Sequence, residues 1–454
     1  MMKTMKPAAI ALLLSLGFLS WLPPVSAAQS AWALPELASK RLMNGLQIIV
    51  ASTPERGDEM TIGWLLRYGS AFDPASKAGL AYVVSQMLSR ATADRSRKDI
   101  QDELAFLQAS LDIRCDWDRI EILLRGRSST SERALLLLYQ IVGEAIFRPE
   151  DLEEVKAERL AQLKRPEDPR QRIRGLFERE LFAGTTYGRL QRGSDATVQN
   201  ISLGDLKFFY HRFFTPDEAA LVFAGSTPSS EVLQKATRIW GVWVRKESIP
   251  FTFLPPRPPA TRTVVIDDDP QSPAAQFIMG GLWPQRGEAR YYAAELATRV
   301  LQERLTRALP TSLLTVGGEG RRLPGPFYIQ GQAAADQAPA EVQKVLAMID
   351  SIRESGGTPQ ELDAARSSWI AEFRKGLETT EGVCARLVDA ELYRLGTNYL
   401  ASFDESLSRI NLDGVKEAAK EWLLPGGVLL LVRGPAAALR TGLANFGTLR
   451  EVSP

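Results

Sequence analysis

Histidine and cysteine are almost missing: the 454-residue sequence contains one His and two Cys. A mononuclear zinc centre takes three or four Cys, His or carboxylate ligands, and one His severely limits that chemistry. A Ser–His–Asp or Cys–His nucleophile would have to use His211, the single candidate. An excess of one charge is lacking as well. Lys+Arg 55 against Asp+Glu 54 gives a net charge of +1, which argues against a broadly basic nucleic-acid binder. No P-loop, dinucleotide fingerprint or G-x-S-x-G occurs. After the first 27 residues no stretch reaches 18 uninterrupted apolar residues, so no transmembrane segment is expected in the mature chain.

What remains is ordinary globular composition, 45% hydrophobic and 24% charged, with 34 Gly and 27 Pro. The length allows two or three domains at ~100–200 residues each. Residues 1–27 read as a cleaved signal peptide. Lys3 and Lys6 precede the apolar run Ala8–Trp21, and Val25-Ser26-Ala27 fits a small-residue cleavage site. No Cys follows that site, so a lipid anchor is not expected. The mature chain has a net charge of −1, because the segment carries two Lys and no acid. The expectation is an exported protein, periplasmic if the source is Gram-negative. Cys115 and Cys384 fall in what look like different domains, and two buried free thiols fit better than a bridge.

Residues 248–262 divide the mature chain. Five prolines between Ser248 and Ala260 exclude a helix or a central strand and predict an extended, semi-rigid linker. The parts on either side, 28–247 and 263–454, repeat one another. At an offset of 209, Ile201-Ser202-Leu203 falls on Ile410-Asn411-Leu412, Pro216 on Pro425, Leu221 on Leu430 and Gly225 on Gly434. Pro149-Glu150-Asp151-Leu152 matches Pro359-Gln360-Glu361-Leu362 at 210. This is a duplicated domain, not a solenoid of ~20–50-residue units. Each part opens with strands (Leu46–Ala51 and Met60–Tyr68; Thr263–Ile266 and Ala275–Leu282). An amphipathic helix follows, Lys77–Arg90 or Ala289–Arg307. Long helices come next over 131–147 and 149–165, and over 338–355 and 358–376, with Pro149 and Pro359 at helix starts. Short helices at 202–213 and 411–422 lead to closing strands Ala220–Ala224 and Val428–Val432. The fold class expected is α+β: two homologous domains, each a mostly antiparallel sheet with helices on one face.

Several motifs in this order resemble a known family. Arg41-Leu42-Met43-Asn44-Gly45-Leu46 is similar to the opening strand of pitrilysin-type (inverzincin) zinc peptidases, which include insulinase-like and mitochondrial-processing-peptidase-like proteins. Tyr68-Gly69-Ser70 with Lys77-Ala78-Gly79-Leu80-Ala81 resembles the family's run into its metal-binding helix. Phe214-Thr215-Pro216 followed by Ala220–Gly225 resembles a later segment. The resemblance covers nearly all of the mature chain. It implies an H-x-x-E-H directly after Ala81, two His binding zinc and Glu serving as general base. The sequence instead reads Tyr82-Val83-Val84-Ser85-Gln86, so Tyr82, Ser85 and Gln86 stand where His, Glu and His are expected. A neutral amide is a poor zinc ligand, and a serine hydroxyl cannot take a proton from water near neutral pH. The family's third ligand, a Glu, would fall at Arg165 or near Ala161, neither of which binds zinc. No metal, no other cofactor and no peptidase activity are expected.

The family's second half carries an Arg and a later Tyr that grip substrate. By resemblance, Arg304 or Arg307 is the guanidinium candidate; the Tyr position falls near Leu314, and Tyr328 is the substitute. A strand tyrosine with an inward ring is the plainer account of Tyr328. Gly317-Gly318-Glu319-Gly320 reads equally as a substrate-handling loop or a turn. His211, in an aromatic helix end, fits a half-buried or surface residue better than a base, since Lys420 occupies the equivalent place. Glu153, Glu154 and Glu158 have the spacing of a solvated helix face, and Asp267-Asp268-Asp269 that of a solvated turn without the EF-hand pattern. The resemblance implies a partner, a homologous H-x-x-E-H zinc peptidase subunit sharing a chamber that holds peptide substrate. A stand-alone peptide-binding or envelope assembly protein is the alternative.

Overall fold

The apolar strand segments pair into two sheets. In the computed structural model, which describes residues 34–452 apart from Pro273, the first sheet contains β1 (Glu36–Arg41), β2 (Gln47–Ser52), β3 (Glu59–Leu66), β4 (Ser110–Cys115), β5 (Ile120–Arg127) and β6 (Ala219–Gly225). The second contains β7 (Thr263–Asp268), β8 (Ala274–Trp283), β9 (Thr315–Gly318), β10 (Gly325–Ala334), β11 (Leu429–Gly434) and β12 (Thr448–Glu451). The expected signal peptide lies outside the described residues.

Strand order is β1-β2-β6-β3-β5-β4 in one sheet and β12-β7-β11-β8-β10-β9 in the other. Five strands therefore correspond one to one, and the sequence repeat is a repeat of sheet topology. Only the sixth differs: β1 joins antiparallel to β2, whereas β12 joins parallel to β7 from the other end of the chain. The parallel pairs β2–β6 and β7–β11 also match, and the remaining neighbours are antiparallel.

Helices α1 (Leu80–Met87), α2 (Arg97–Phe106), α3 (Ser131–Gly143), α4 (Pro149–Leu163), α5 (Pro169–Leu181), α6 (Asp195–Gln199), α7 (Leu203–Phe213) and α8 (Ser229–Trp240) belong to the first half. The second half supplies α9 (Tyr291–Ala308), α10 (Ala338–Ser355), α11 (Pro359–Gly376), α12 (Thr380–Leu392), α13 (Tyr399–Ser408), α14 (Leu412–Trp422) and α15 (Ala436–Leu443). Pro149 and Pro359 do open helices, and Thr358 with Glu361 forms a capping box at the start of α11.

The period-2 alternation of each strand sends its two sets of side chains into two different cores. Ile48, Val50, Ile62 and Trp64 pack under the first half's own helices. Ile49, Leu65, Leu123 and Val222 face the other way, against Val383, Cys384, Leu387 and Val388 of α12. The second sheet answers in kind: Val265, Ile278, Leu429 and Leu431 bury Ile173, Phe177 and Leu181 of α5. Each half thus lends a helix to the sheet of the other, and each sheet is covered on both faces. Both Cys115 and Cys384 are buried free thiols.

Polar contacts hold α12 in place. Thr61 and Thr380 hydroxyls meet at 3.0 Å, Arg119 reaches Asp389 at 2.7 Å, and Arg125 grips Glu381 with a 2.8 Å bond from its Nε. Residues 248–262 carry no helix or strand and are pinned along the body. The Ile249 amide donates to the Tyr68 hydroxyl at 2.7 Å, Phe253 packs on Phe72, and the Arg322 guanidinium lies 3.8 Å over Phe251.

Candidate functional site

The start of α1 is built by an interlock of two glycines. Gly79, at φ +94°, turns the chain into the helix; a Cβ there would lie 2.8 Å from the Arg192 carbonyl carbon. Gly193, at φ +71°, would in turn press a Cβ on the Ala78 carbonyl. This close approach brings Arg192 beside the first turn. The buried Asp73 carboxylate caps the helix, accepting from the Gly79 amide at 2.8 Å and the Ala81 amide at 2.9 Å. Burial pushes its pKa up to about 7 against the pull of those amides.

Tyr82, Ser85 and Gln86 follow on this helix. Ser85 is fully buried and donates to the Tyr82 carbonyl at 2.7 Å, so its hydroxyl serves its own helix. The Gln86 amide donates to the Ser85 hydroxyl at 3.3 Å. The Tyr82 ring has the guanidiniums of Arg159 and Arg192 at 5.8 and 5.5 Å from its centroid. Arg159 of α4 is fixed by backbone carbonyls, that of Arg192 at 2.9 Å and that of Gly193 at 3.3 Å.

Alongside it, Gln162 extends its amide oxygen to 3.5 Å from the Tyr82 hydroxyl. The α4 side chains at Tyr82 are therefore Arg159 and Gln162, one turn apart. That i, i+3 pair was readable in the sequence; its partner Arg192, brought in by the glycine interlock, was not. A tyrosine, a serine bound to its own backbone, two amides and two guanidiniums make a donor set that does not fit Zn²⁺. Among the described residues no three His, Cys, Asp or Glu side chains gather as a metal site would need.

The second-half candidates do not converge. Arg304 makes a two-pronged pair with Glu361 at 2.8 and 2.7 Å and also reaches Ser351. Arg307 is exposed and pairs with Glu303 one turn back at 2.6 Å. Tyr328 lies on the opposite face of the second sheet, in the α5 core, with Arg174 4.0 Å over its ring. The sheet therefore separates Tyr328 from α9, and the Arg–Tyr grip is not assembled from these residues. His211 is exposed.

Glu153, Glu154 and Glu158 are exposed, as a solvated helix face is, and Glu154 and Glu158 also hold the buried Arg90, at 3.0 and 2.6 Å. One expectation is corrected. Asp267-Asp268-Asp269 is not a solvated turn. Arg433 pairs with Asp267 at 2.6 Å and Asp269 at 3.0 Å, while Asp268 accepts from the Ala436 amide at the start of α15. Gly317 and Gly318 lie in β9, paired with Tyr328 and Phe327, and the loop begins only at Glu319.

Comparison with known proteins decides the family. A family model described as "Insulinase (Peptidase family M16)" matches residues 49–189, and one described as "Peptidase M16 inactive domain" matches residues 200–368. The chain belongs to the M16 peptidase family. Among curated relatives, a Helicobacter pylori protein named "Non-peptidase homolog YmxG" is 22% identical over 349 residues, 76% of each chain. An uncharacterized zinc protease of Rickettsia bellii is 20% identical over 47% of this chain and 52% of its own, so the match spans about half that relative's length.

Among solved structures, a peptidase M16 inactive domain from Pseudomonas fluorescens superimposes with TM-score 0.80 at 19% identity, over 88% of this chain and 98% of that one. The periplasmic protease PqqL of Escherichia coli does so with TM-score 0.74 at 14% identity, over 93% of this chain and 49% of PqqL. The proteins this chain is similar to thus include an inactive domain and a non-peptidase homologue as well as named proteases.

Proposed function

We propose that this M16 chain is the non-catalytic subunit of an exported heterodimeric zinc metallopeptidase. It closes the chamber and offers substrate-binding surface to a homologous subunit that carries H-x-x-E-H. The observation that supports this most is the α1 site. Its scaffold is fully formed, with Asp73, Gly79 and Gly193 setting the helix start, yet Tyr82, Ser85 and Gln86 with Arg159 and Arg192 replace every group zinc hydrolysis needs. Two guanidiniums at such a site repel a divalent cation. A chain that keeps both sheets and their cores while lacking this chemistry retains what chamber building requires. Correspondence to about half of the periplasmic protease PqqL agrees with a chain that needs a second half. An obligate pair of this kind would bury more than ~2,000 Å².

The test is affinity capture of the tagged mature protein from its native envelope, with mass spectrometry of what accompanies it. The reading expects a near-stoichiometric M16 partner containing H-x-x-E-H. Recovery of the chain alone, or with an unrelated envelope complex, overturns it and moves the weight to a stand-alone peptide-binding or assembly role.

A further inference from the structure

A cavity of about 440 Å³ lies between the two halves, away from α1. The turn Asp116–Arg119 closes it on one side, the segment Gly318–Arg321 on another; α9, α11 and α13 supply aromatic walls, and α12 supplies Arg386 and Asp389. Its size is that of a small-ligand site. Its charges are not evenly matched. The lining carboxylates are answered within the wall: Arg119 holds Asp389 at 2.7 Å and Asp116 at 3.3 Å, and Arg299 holds Glu372 at 2.9 Å and Glu295 at 3.4 Å. Arg321 holds Glu319 at 2.7 Å, and Asp118 accepts from Tyr187 at 2.6 Å.

Among the described residues two lining arginines make no ion pair, although the Arg286 charge also acts on Glu295. Arg286 lies 4.3 Å over the Tyr291 ring and donates to the Tyr399 hydroxyl at 2.9 Å. Arg386 lies 5.1 Å over Phe373, whose ring meets Tyr399 edge-on at 5.8 Å. Among the described residues neither has a carboxylate within 4.0 Å. Burial raises the Tyr399 pKa against the pull of Arg286 and Arg386, and the Asp389 carboxylate acts on the same hydroxyl. That hydroxyl accepts from Arg286 and keeps its own proton, for which no described residue provides an acceptor. Two guanidiniums and one O–H thus border the same aromatic wall with donors to spare.

We propose that this cavity binds a small organic monocarboxylate with an apolar or aromatic body. Its carboxylate is held by Arg286, Arg386 and the Tyr399 hydroxyl, and its body rests against Phe373 and Trp369. A monoanion fits better than a dianion, because Arg119 and Arg299 each face two lining carboxylates and leave a surplus negative charge nearby. The cavity is complete within one chain, so this inference stands or falls apart from the partner reading.

The test is titration calorimetry on the isolated mature chain with N-acetylphenylalanine, its amide, and inorganic phosphate. The expected result is one acid bound per chain, with the amide and phosphate each at least tenfold weaker. Arg386→Gln and Tyr399→Phe weaken the acid at least tenfold, whereas the surface variant Arg409→Gln does not. Equal binding of acid and amide overturns the proposal, as does no binding of the acid, phosphate binding as tight as the acid, or variants that bind like wild type. Should Arg386→Gln fail to fold, the comparison of ligands on wild type and the hydroxyl deletion Tyr399→Phe decide the matter.

Discussion

Gly63 of β3 faces Cys384 of α12 so closely that a Cβ on Gly63 would lie 2.6 Å from the Cys384 Sγ and 2.9 Å from a Val388 methyl. No other residue type lets a helix of the second half settle on the sheet of the first, so this contact joins the two halves into one core. Gly63→Val is expected to lower unfolding stability by about 1–3 kcal/mol through overpacking. Adding Cys384→Ala should return part of that loss, since the two sites share one space. Urea unfolding of the two single variants and the double variant reads both numbers; simple additivity would show that the contact does not govern docking.

Arg67 works at the other end of the same helix. It is buried and donates to the Glu391 carbonyl at 3.1 and 3.2 Å and to the Glu391 carboxylate at 3.0 Å. Arg67→Ala strands that carboxylate and is expected to cost about 3 kcal/mol. Arg67→Lys should recover only part of the loss, because one ammonium cannot repeat the forked contact. Thermal unfolding of the two variants distinguishes these outcomes.

The Arg304–Glu361 pair has a pH signature. Hydrogen bonds from Arg304, then those from Thr358, hold the Glu361 carboxyl at about 2, down from 4.5. A folded-state pKa below the unfolded one gives stability that is present above about 4.5 and fades as pH falls towards 2. Wild type should therefore exceed Glu361→Gln in stability near neutrality. The gap should narrow as pH drops through that window, which denaturant midpoints at stepped pH would register. A gap independent of pH would contradict the assignment.

Installing the family's H-x-x-E-H at 82–86 should not create a zinc site. Tyr82→His, Ser85→Glu and Gln86→His together still leave Arg159 and Arg192 against the site and an amide, Gln162, on α4. The triple variant is expected to stay without tight zinc by equilibrium dialysis, and further replacement by Arg159→Ala with Gln162→Glu is expected to raise affinity at least tenfold. Tight zinc in the triple variant alone would show that the arginines are bystanders.

Much of this architecture was legible in the sequence, for identifiable reasons. The repeat, the apolar runs of β2, β3, β7 and β8, and the proline-started helices α4 and α11 are local patterns. The helices that join the halves were not seen. Helix α5 buries only Ile173, Phe177 and Leu181, a narrow stripe among arginines and glutamates. Helix α12 is apolar on more than one side because it is held between the first sheet and its own half, which erases the period. Strand β1 is mostly exposed and shows no alternation. At the candidate site, the sequence showed Tyr82, Ser85 and Gln86 where the family resemblance implies metal ligands and a base. The roles of Arg192, Arg304 and Asp267 were hidden because their partners or neighbours lie far along the chain.

The most direct test of a non-catalytic chain is its zinc content with its own activity. The protein, purified without metal-affinity resin, would be analysed by inductively coupled plasma mass spectrometry and incubated with a quenched fluorescent peptide library. The account predicts zinc far below one atom per chain and no chelator-sensitive cleavage. One zinc per chain with cleavage abolished by chelator and recovered on adding zinc would contradict it.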